Sequence, residues 1–242
     1  MSAWHLGRLV GFDLETTSPD PLNARIVTAC VVHCGGGQPT DSRTWLTDVD
    51  GEEIPAEAAA IHGVTTERAH AEGVDLRAAV EEILYALSEA AMAGLPTVAM
   101  NARYDLTVLD REAQRYGMTP LTARRGTLRV IDPYVIDKQV DRYRPGKRTL
   151  SHLCQHYEVP LGSAHSADAD AVAACRVAWR QGTRYPALAA MSLDELHTAQ
   201  IGWAAQQAAS LQEHFRKTRP DAYVEPAWPV IPRQSRGRHP AA

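Results

Sequence analysis

A chain of 242 residues, 45% hydrophobic and 22% charged, has the composition of an ordinary folded protein and allows one large domain or two small ones. Its formal charge of -4 excludes a uniformly basic nucleic-acid coat, but not a local basic groove beside an acidic site. No run of about 18 apolar residues predicts a membrane span, and Met1-Ser2-Ala3-Trp4-His5 lacks the basic and apolar regions of a secretory signal.

In chain order, Arg8–Glu15 reads as the first strand, and Arg25–His33 as a second, rich in Ile26, Val27, Val31 and Val32. The Gly35–Gly37 turn leads into a third strand over Asp41–Val49, so the opening third of the chain predicts an antiparallel meander. Residues 51–64 read as loop with a short helix over Ala56–Ile61, started after Pro55. Asp75–Gly94 carries Leu76, Val80, Ile83, Leu84 and Leu87 at three- and four-residue spacing, the stripe of an amphipathic helix. A short strand over Pro96–Met100 is followed by a helix to about Tyr116, and another strand over Leu128–Ile131 ends at Asp132-Pro133. Helices are expected over Thr149–Tyr157, Ala167–Gln181 and Asp194 to about Lys217, the last with a stripe of Ala204, Ala208, Leu211 and Phe215. From Pro220 onward, Pro226, Pro229, Pro232 and Pro240 exclude a regular helix or central strand. This order predicts an α/β fold with a mixed sheet over residues 1–182, then a helical appendage and an extended Pro-containing tail over 183–242.

Cys30, Cys34, Cys154 and Cys175 form no C-x-x-C pair, so free thiols in a cytoplasmic protein are expected. A zinc site on Cys30, His33 and Cys34 competes with a simpler reading, a strand entering the Gly35–Gly37 turn.

The chemistry concentrates where the first strand ends. In a strand, residues two apart share a face, so Asp13 and Glu15 project side by side. Two adjacent anions repel unless a cation lies between them, and oxygen ligands favour Mg²⁺ or Mn²⁺. The alternative is a strand end with solvated acids. Asp105 at a helix start after a strand, and Asp170 in the first turns of a helix with His165 five residues ahead, add three groups near element ends, where α/β sheets build sites.

Asp13-Leu14-Glu15-Thr16-Thr17, Asn101-Ala102-Arg103-Tyr104-Asp105 and His165-Ser166-Ala167-Asp168-Ala169-Asp170, in that order, resemble the three motifs of the DEDDh exonucleases. That family includes the proofreading epsilon subunit of bacterial DNA polymerase III. Ile61-His62-Gly63-Val64-Thr65 and Arg148-Thr149-Leu150-Ser151-His152-Leu153-Cys154 resemble two further family segments, and the likeness extends from about Leu9 to Trp179. It implies a ribonuclease-H-like mixed five-stranded sheet flanked by helices, and 3′→5′ release of nucleoside 5′-monophosphates from DNA ends. RNA end trimming by the same chemistry is the alternative.

The resemblance further implies two metal ions held by Asp13, Glu15, Asp105 and Asp170, with Asp13 best placed to bridge them. Neutral His165 takes the proton of the attacking water, a role suited to an imidazole pKa of about 6.5. Thr16, the backbone around Leu14, His62 and Asn101 hold the terminal nucleotide. His62 also fits a loop cap, and Asn101 a turn residue. Tyr104 stands where Phe is commoner in the family. Asp168 lies about 200° around the helix from Asp170 and reads as a helix-start charge. All five chemical residues are present, which favours an enzyme over a nuclease-like binding module.

Lys138, Arg142, Arg144, Lys147 and Arg148 gather around Tyr143. They read either as a phosphate-tracking stretch with a stacking tyrosine or as a solvated loop around Pro145-Gly146. The helix after Asp194 and the Trp228-Pro229-Val230-Ile231-Pro232 tail either pack on the domain or dock a partner such as a DNA polymerase.

Overall fold

The computed structural model describes residues 3–162, 166–219 and 221–233. β1 (Arg8–Thr16), β2 (Ile26–Gly35) and β3 (Asp41–Leu46) form the antiparallel meander. β4 (Thr97–Val98) and β5 (Val130–Ile131) add parallel to β1, giving the order β3-β2-β1-β4-β5. The helices are α1 (Ala56–His62), α2 (Thr66–Glu72), α3 (Leu76–Met92), α4 (Arg103–Arg115), α5 (Pro133–Val140), α6 (Leu150–His156), α7 (Ala167–Arg184), α8 (Pro186–Ala189) and α9 (Leu193–Thr218). No helix among the described residues is long and apolar enough to cross a membrane.

The alternation along β1 sorts its two faces. Val10, Phe12 and Leu14 pack with the α3 stripe of Leu76, Val80, Ile83, Leu84 and Leu87 and with Leu106 and Leu109 of α4. Leu9 joins Cys175 and Ala178 of α7 on the other face. Each fully buried Leu or Ile contributes on the order of 1.5–3 kcal/mol, so these two layers hold β1 between α3 and α7.

Three local features depart from the sequence expectation. β3 ends at Leu46, because Thr47 turns away to bridge Val74 and donates its hydroxyl to Ile26 O at 2.5 Å; a 3₁₀ turn over Val49–Gly51 follows. α2 buries only Ala69, so it has no stripe to read, and its start is fixed by Thr65 accepting the Arg68 N–H. Asp132-Pro133 ends β5 as expected but also starts α5. Asp132 accepts the Tyr134 N–H at 2.9 Å, and Pro133 occupies the first turn, where a missing N–H costs nothing.

The appendage covers the rim of the sheet. Outward-facing groups of β5 are met by α9 side chains: Val130 N–H donates to His197 Nδ1, Val130 O accepts from Gln200 Nε2, and Asp132 N–H donates to Gln200 Oε1. The tail then returns over α4. Trp228, 7% exposed, enters the main core and donates its indole N–H to Asp132 Oδ2 at 3.1 Å. Ile231 N–H donates to Thr107 Oγ1, and Arg111 and Arg233 fasten the same segment to α4. The described part of the tail is therefore engaged with the chain's own core.

Candidate active site

β1 outruns its parallel neighbour. Val10 N–H donates to Pro96 O at 3.1 Å, but β4 is only two residues long and gives Leu14 no strand partner. The Leu14 N–H donates instead to Asp105 Oδ1 at 3.1 Å. Asp105 sits in the first turn of α4 and is 4% exposed. A side chain thus continues the ladder and ties the second acidic motif to the first.

Asp13 and Glu15 lie on the α7 side, with Gly11. A Cβ on Gly11 would stand 2.7 Å from Ala171 O and 2.9 Å from Cys175 Sγ. Only glycine permits this approach of helix to strand. Asp170 precedes Ala171, and carboxylate oxygens of Asp13, Glu15 and Asp170 all lie within 4.8 Å of one another.

Crowding of like charge dominates the electrostatics. The Asp13 carboxyl is pushed well above the usual carboxylate range, first by burial, then by Asp105, Asp170 and Glu15. Asp105 is pushed in the same direction by burial, against the opposing backbone N–H of Leu14. Three hard oxygen donors converging at this spacing, in a place that resists bare negative charge, fit a divalent cation. His165 lies outside the described residues.

A cleft of about 660 Å³ opens beside the cluster, lined by Glu15, Thr16, Ser18, Ile61, His62 and Tyr104. The Tyr104 hydroxyl donates to Ser18 O and pairs with Thr16 Oγ1, and burial pushes its pKa up to about 12. His62 Nδ1 accepts the Val64 N–H at 3.2 Å, so the loop-capping role is present and the ring still lines the cleft. Burial lowers the His62 pKa, opposed by the Thr16 backbone. Asn101 adopts φ 59°, in the left-handed region, and lines a smaller cavity with Arg103, Tyr134 and Lys138. Its N–H and that of Ala102 both donate to Asp132, at 2.9 and 3.0 Å.

Of the residues singled out in the sequence, Asp13, Glu15 and Asp170 come together, Asp105 adjoins them through Leu14, and Thr16 and His62 share the cleft. Asp168 is exposed and accepts the Ser166 hydroxyl. The cysteines are buried and free, and among the described residues the acidic trio is the one group with the spacing to hold a metal. Sequence reasoning missed Gly11, Asp132 and Trp228. Gly11 carries a signal, as a glycine inside an apolar strand often marks close approach of another backbone.

The sheet order, with helices on both faces and acids at the far end of β1, is that of the ribonuclease-H-like α/β proteins. The exonuclease family model (RNase_T) matches residues 10–178, well over half of the chain, and the chain belongs to that family. No curated protein matches the sequence. Among solved structures, exonuclease I of E. coli in complex with a dT13 oligonucleotide is similar at 20% identity and a TM-score of 0.62, over 75% of this chain and 42% of that one. The zinc-ion-bound E. coli exonuclease I–single-stranded DNA complex gives 20% and 0.64 over the same shares. Exonuclease I from Methylocaldum szegediense gives 20% and 0.63, again over 75% and 42%. The likeness is one of fold, and the chain spans about 42% of the length of these proteins.

Proposed function

We propose that this protein is a metal-dependent 3′→5′ exonuclease that releases nucleoside 5′-monophosphates from single-stranded or frayed DNA ends. The observation that carries the reading is the convergence of Asp13, Glu15 and Asp170, with Asp105 hydrogen-bonded to the residue between the first two. When bound, a pair of divalent cations, Mg²⁺ or Mn²⁺, supplies charge stabilisation to the attacking and leaving oxygens of an in-line displacement at phosphorus. Asp13, Glu15 and Asp170 are the holding residues, and Asp105 completes the set while fixing Leu14. His165 is assigned as the general base that takes the proton of the attacking water, on the strength of its five-residue spacing from Asp170 and the motif it belongs to.

The cleft of about 660 Å³ has the size of a small-molecule site. In this reading it receives the terminal nucleotide, with Thr16, the Leu14 backbone and His62 against the sugar and base, and Asn101 at the approach. Residues 1–182 form the exonuclease domain and 183–242 an appendage that completes it, a division supported by the family match ending at residue 178.

Digestion of a 5′-labelled single-stranded oligonucleotide with Mg²⁺ or Mn²⁺ tests the proposal. Expected are a descending ladder of 5′-labelled strands with release of unlabelled mononucleotides, resistance of a 3′-blocked substrate and loss of activity in Asp13→Ala. Full activity in Asp13→Ala, or digestion from the 5′ end, overturns it. Faster turnover of a matched RNA moves the assignment to RNA ends.

A further inference from the structure

The basic stretch Lys138–Arg148 divides in two. Arg144 Nη2 and Arg148 Nε each donate to Asp137 Oδ2 at 2.7 Å, and the Tyr157 hydroxyl donates to Asp137 Oδ1 at 2.9 Å. The Asp137 side chain is wholly buried, so these two guanidinium groups are used internally. They pin the segment after α5 and make it a built wall.

Lys138, Arg142 and Tyr143 are what this wall presents. Neither cation is ion-paired with a carboxylate among the described residues. Tyr143 is 88% exposed, with the Arg142 guanidinium 5.7 Å from its ring centroid. The three line a groove of about 380 Å³ whose opposite side is the second half of α9, with Gln206, Ser210 and His214 and no carboxylate.

The groove reaches the turn at Asn101, which the proposed function sets at the approach to the terminal nucleotide. α9 advances parallel to β5: Asp194 meets Arg129, His197 meets Val130, Gln200 meets Asp132 and Gln207 meets Val135. Its later turns therefore extend past the ends of β4 and β5, where the Asn101 turn leads into α4. The small cavity at Asn101 shares Lys138, Gln207 and Leu211 with the groove, so the two are continuous.

We propose that this groove carries the single strand that trails the terminal nucleotide. Lys138 and Arg142 pair with successive phosphates, Tyr143 stacks on an unpaired base, and the Gln and Ser side chains supply hydrogen bonds without sequence preference. The inference rests on the exonuclease reading. A single strand is favoured over a duplex because the exposed ring needs an unstacked base face, and one short cationic wall matches one backbone.

The test uses the full chain with oligothymidylates from a dinucleotide to a sixteen-mer, comparing wild type with Tyr143→Ala and with a Lys138→Gln, Arg142→Gln double variant. In wild type, kcat/KM rises with length. Tyr143→Ala raises KM on the sixteen-mer roughly fivefold or more, the value of one stacked base. The double variant lowers the slope of log affinity against log salt by roughly 1.4, about 0.7 for each of two phosphates. Dinucleotide hydrolysis stays unchanged in both variants. Unchanged length and salt dependence with dinucleotide hydrolysis intact overturns the groove and leaves the exonuclease reading standing. Absence of all hydrolysis in wild type overturns that reading instead. Fluorescence anisotropy with a labelled sixteen-mer then still reads the groove: weaker binding by the double variant supports it, equal binding defeats it. Equally tight, equally Tyr143-dependent binding of blunt duplex overturns the single-strand assignment.

Discussion

The carbonyl oxygen of Ala171 lies 2.7 Å from the point where a side-chain carbon on Gly11 would stand. This contact sets how near α7 comes to β1, and so whether Asp170 reaches Asp13. In Gly11→Ala the helix must move outward. Overpacking of this kind costs about 1–3 kcal/mol, measurable by urea unfolding. The Mg²⁺ concentration for half-maximal activity rises in the same variant. A variant that lost stability but kept its Mg²⁺ dependence would uncouple the contact from the site.

The crowded carboxylates predict opposite effects of one substitution. Burial, Asp105, Asp170 and Glu15 all oppose charge on Asp13. Asp13→Asn therefore raises the melting temperature in EDTA, because it removes an anion from a cluster of anions. The same variant loses the stabilisation that Mg²⁺ gives wild type and drops in activity by roughly a hundredfold or more. Thermal melts with EDTA and with Mg²⁺, beside a nuclease assay, separate the two effects.

Asp132 is 1% exposed, and burial pushes its carboxyl up to about 6 against the donors Trp228, Asn101, Tyr134 and Ala102. A folded-state value above the ordinary one of about 3.9 means that its stabilising contribution is complete below that value. The contribution is lost as pH rises through about 6. Trp228→Phe removes one donor to the charged form, so the Asp132 pKa rises further, by roughly one unit or more. The window of lost stability moves upward with it. Carboxyl ¹³C titration of Asp132, with urea unfolding from pH 4 to pH 8, reads both shifts.

Arg25 fastens the end of β1. Its Nε donates to the buried Glu112 at 2.9 Å, its remaining nitrogens reach Asp50, Glu52 and the Tyr116 hydroxyl, and its N–H donates to Thr17 Oγ1. Arg25→Ala leaves the buried Glu112 with Arg115 as its one remaining ion-pair partner among the described residues. Breaking a buried pair costs about 3–5 kcal/mol. Chemical denaturation is expected to show a loss of that size, larger than for Arg43→Ala, whose pair with Glu82 is exposed.

Tyr104 joins the second motif to the strand end through Thr16 and Ser18. Tyr104→Phe removes these bonds and keeps the ring, costing about 0.5–1.5 kcal/mol. If Thr16 holds the terminal nucleotide, KM rises while kcat is little changed. A fall in kcat alone would place the hydroxyl's effect on Asp105, its neighbour in α4.

Much of this was legible in the residues. The two-residue spacing of Asp13 and Glu15 requires only that β1 be a strand, and its apolar run made that plain. The α3 stripe likewise fixed one layer of the core. α2 was hidden because a helix that buries one alanine has no periodicity. α5 was hidden because Asp132-Pro133 serves equally as a strand terminator and a helix cap. Trp228 reads as part of a tail that either packs on the domain or docks a partner until the cavity it fills, between α4 and α9, is known. The basic stretch could not be divided from sequence, because the sorting is done by Asp137, a residue in the unrecognised helix.

The covering of β5 by His197 and Gln200 bears on how copies of this molecule can meet. With Val130 and Asp132 saturated by imidazole and amide groups, that margin offers no template for a foreign strand. Among the described residues, β3 alone presents a bare strand margin, and it carries Asp41 and Arg43 there. Ribbon-like polymerisation, the hazard of an open sheet, is thus blocked by amide mimicry at one border and discouraged by charge at the other.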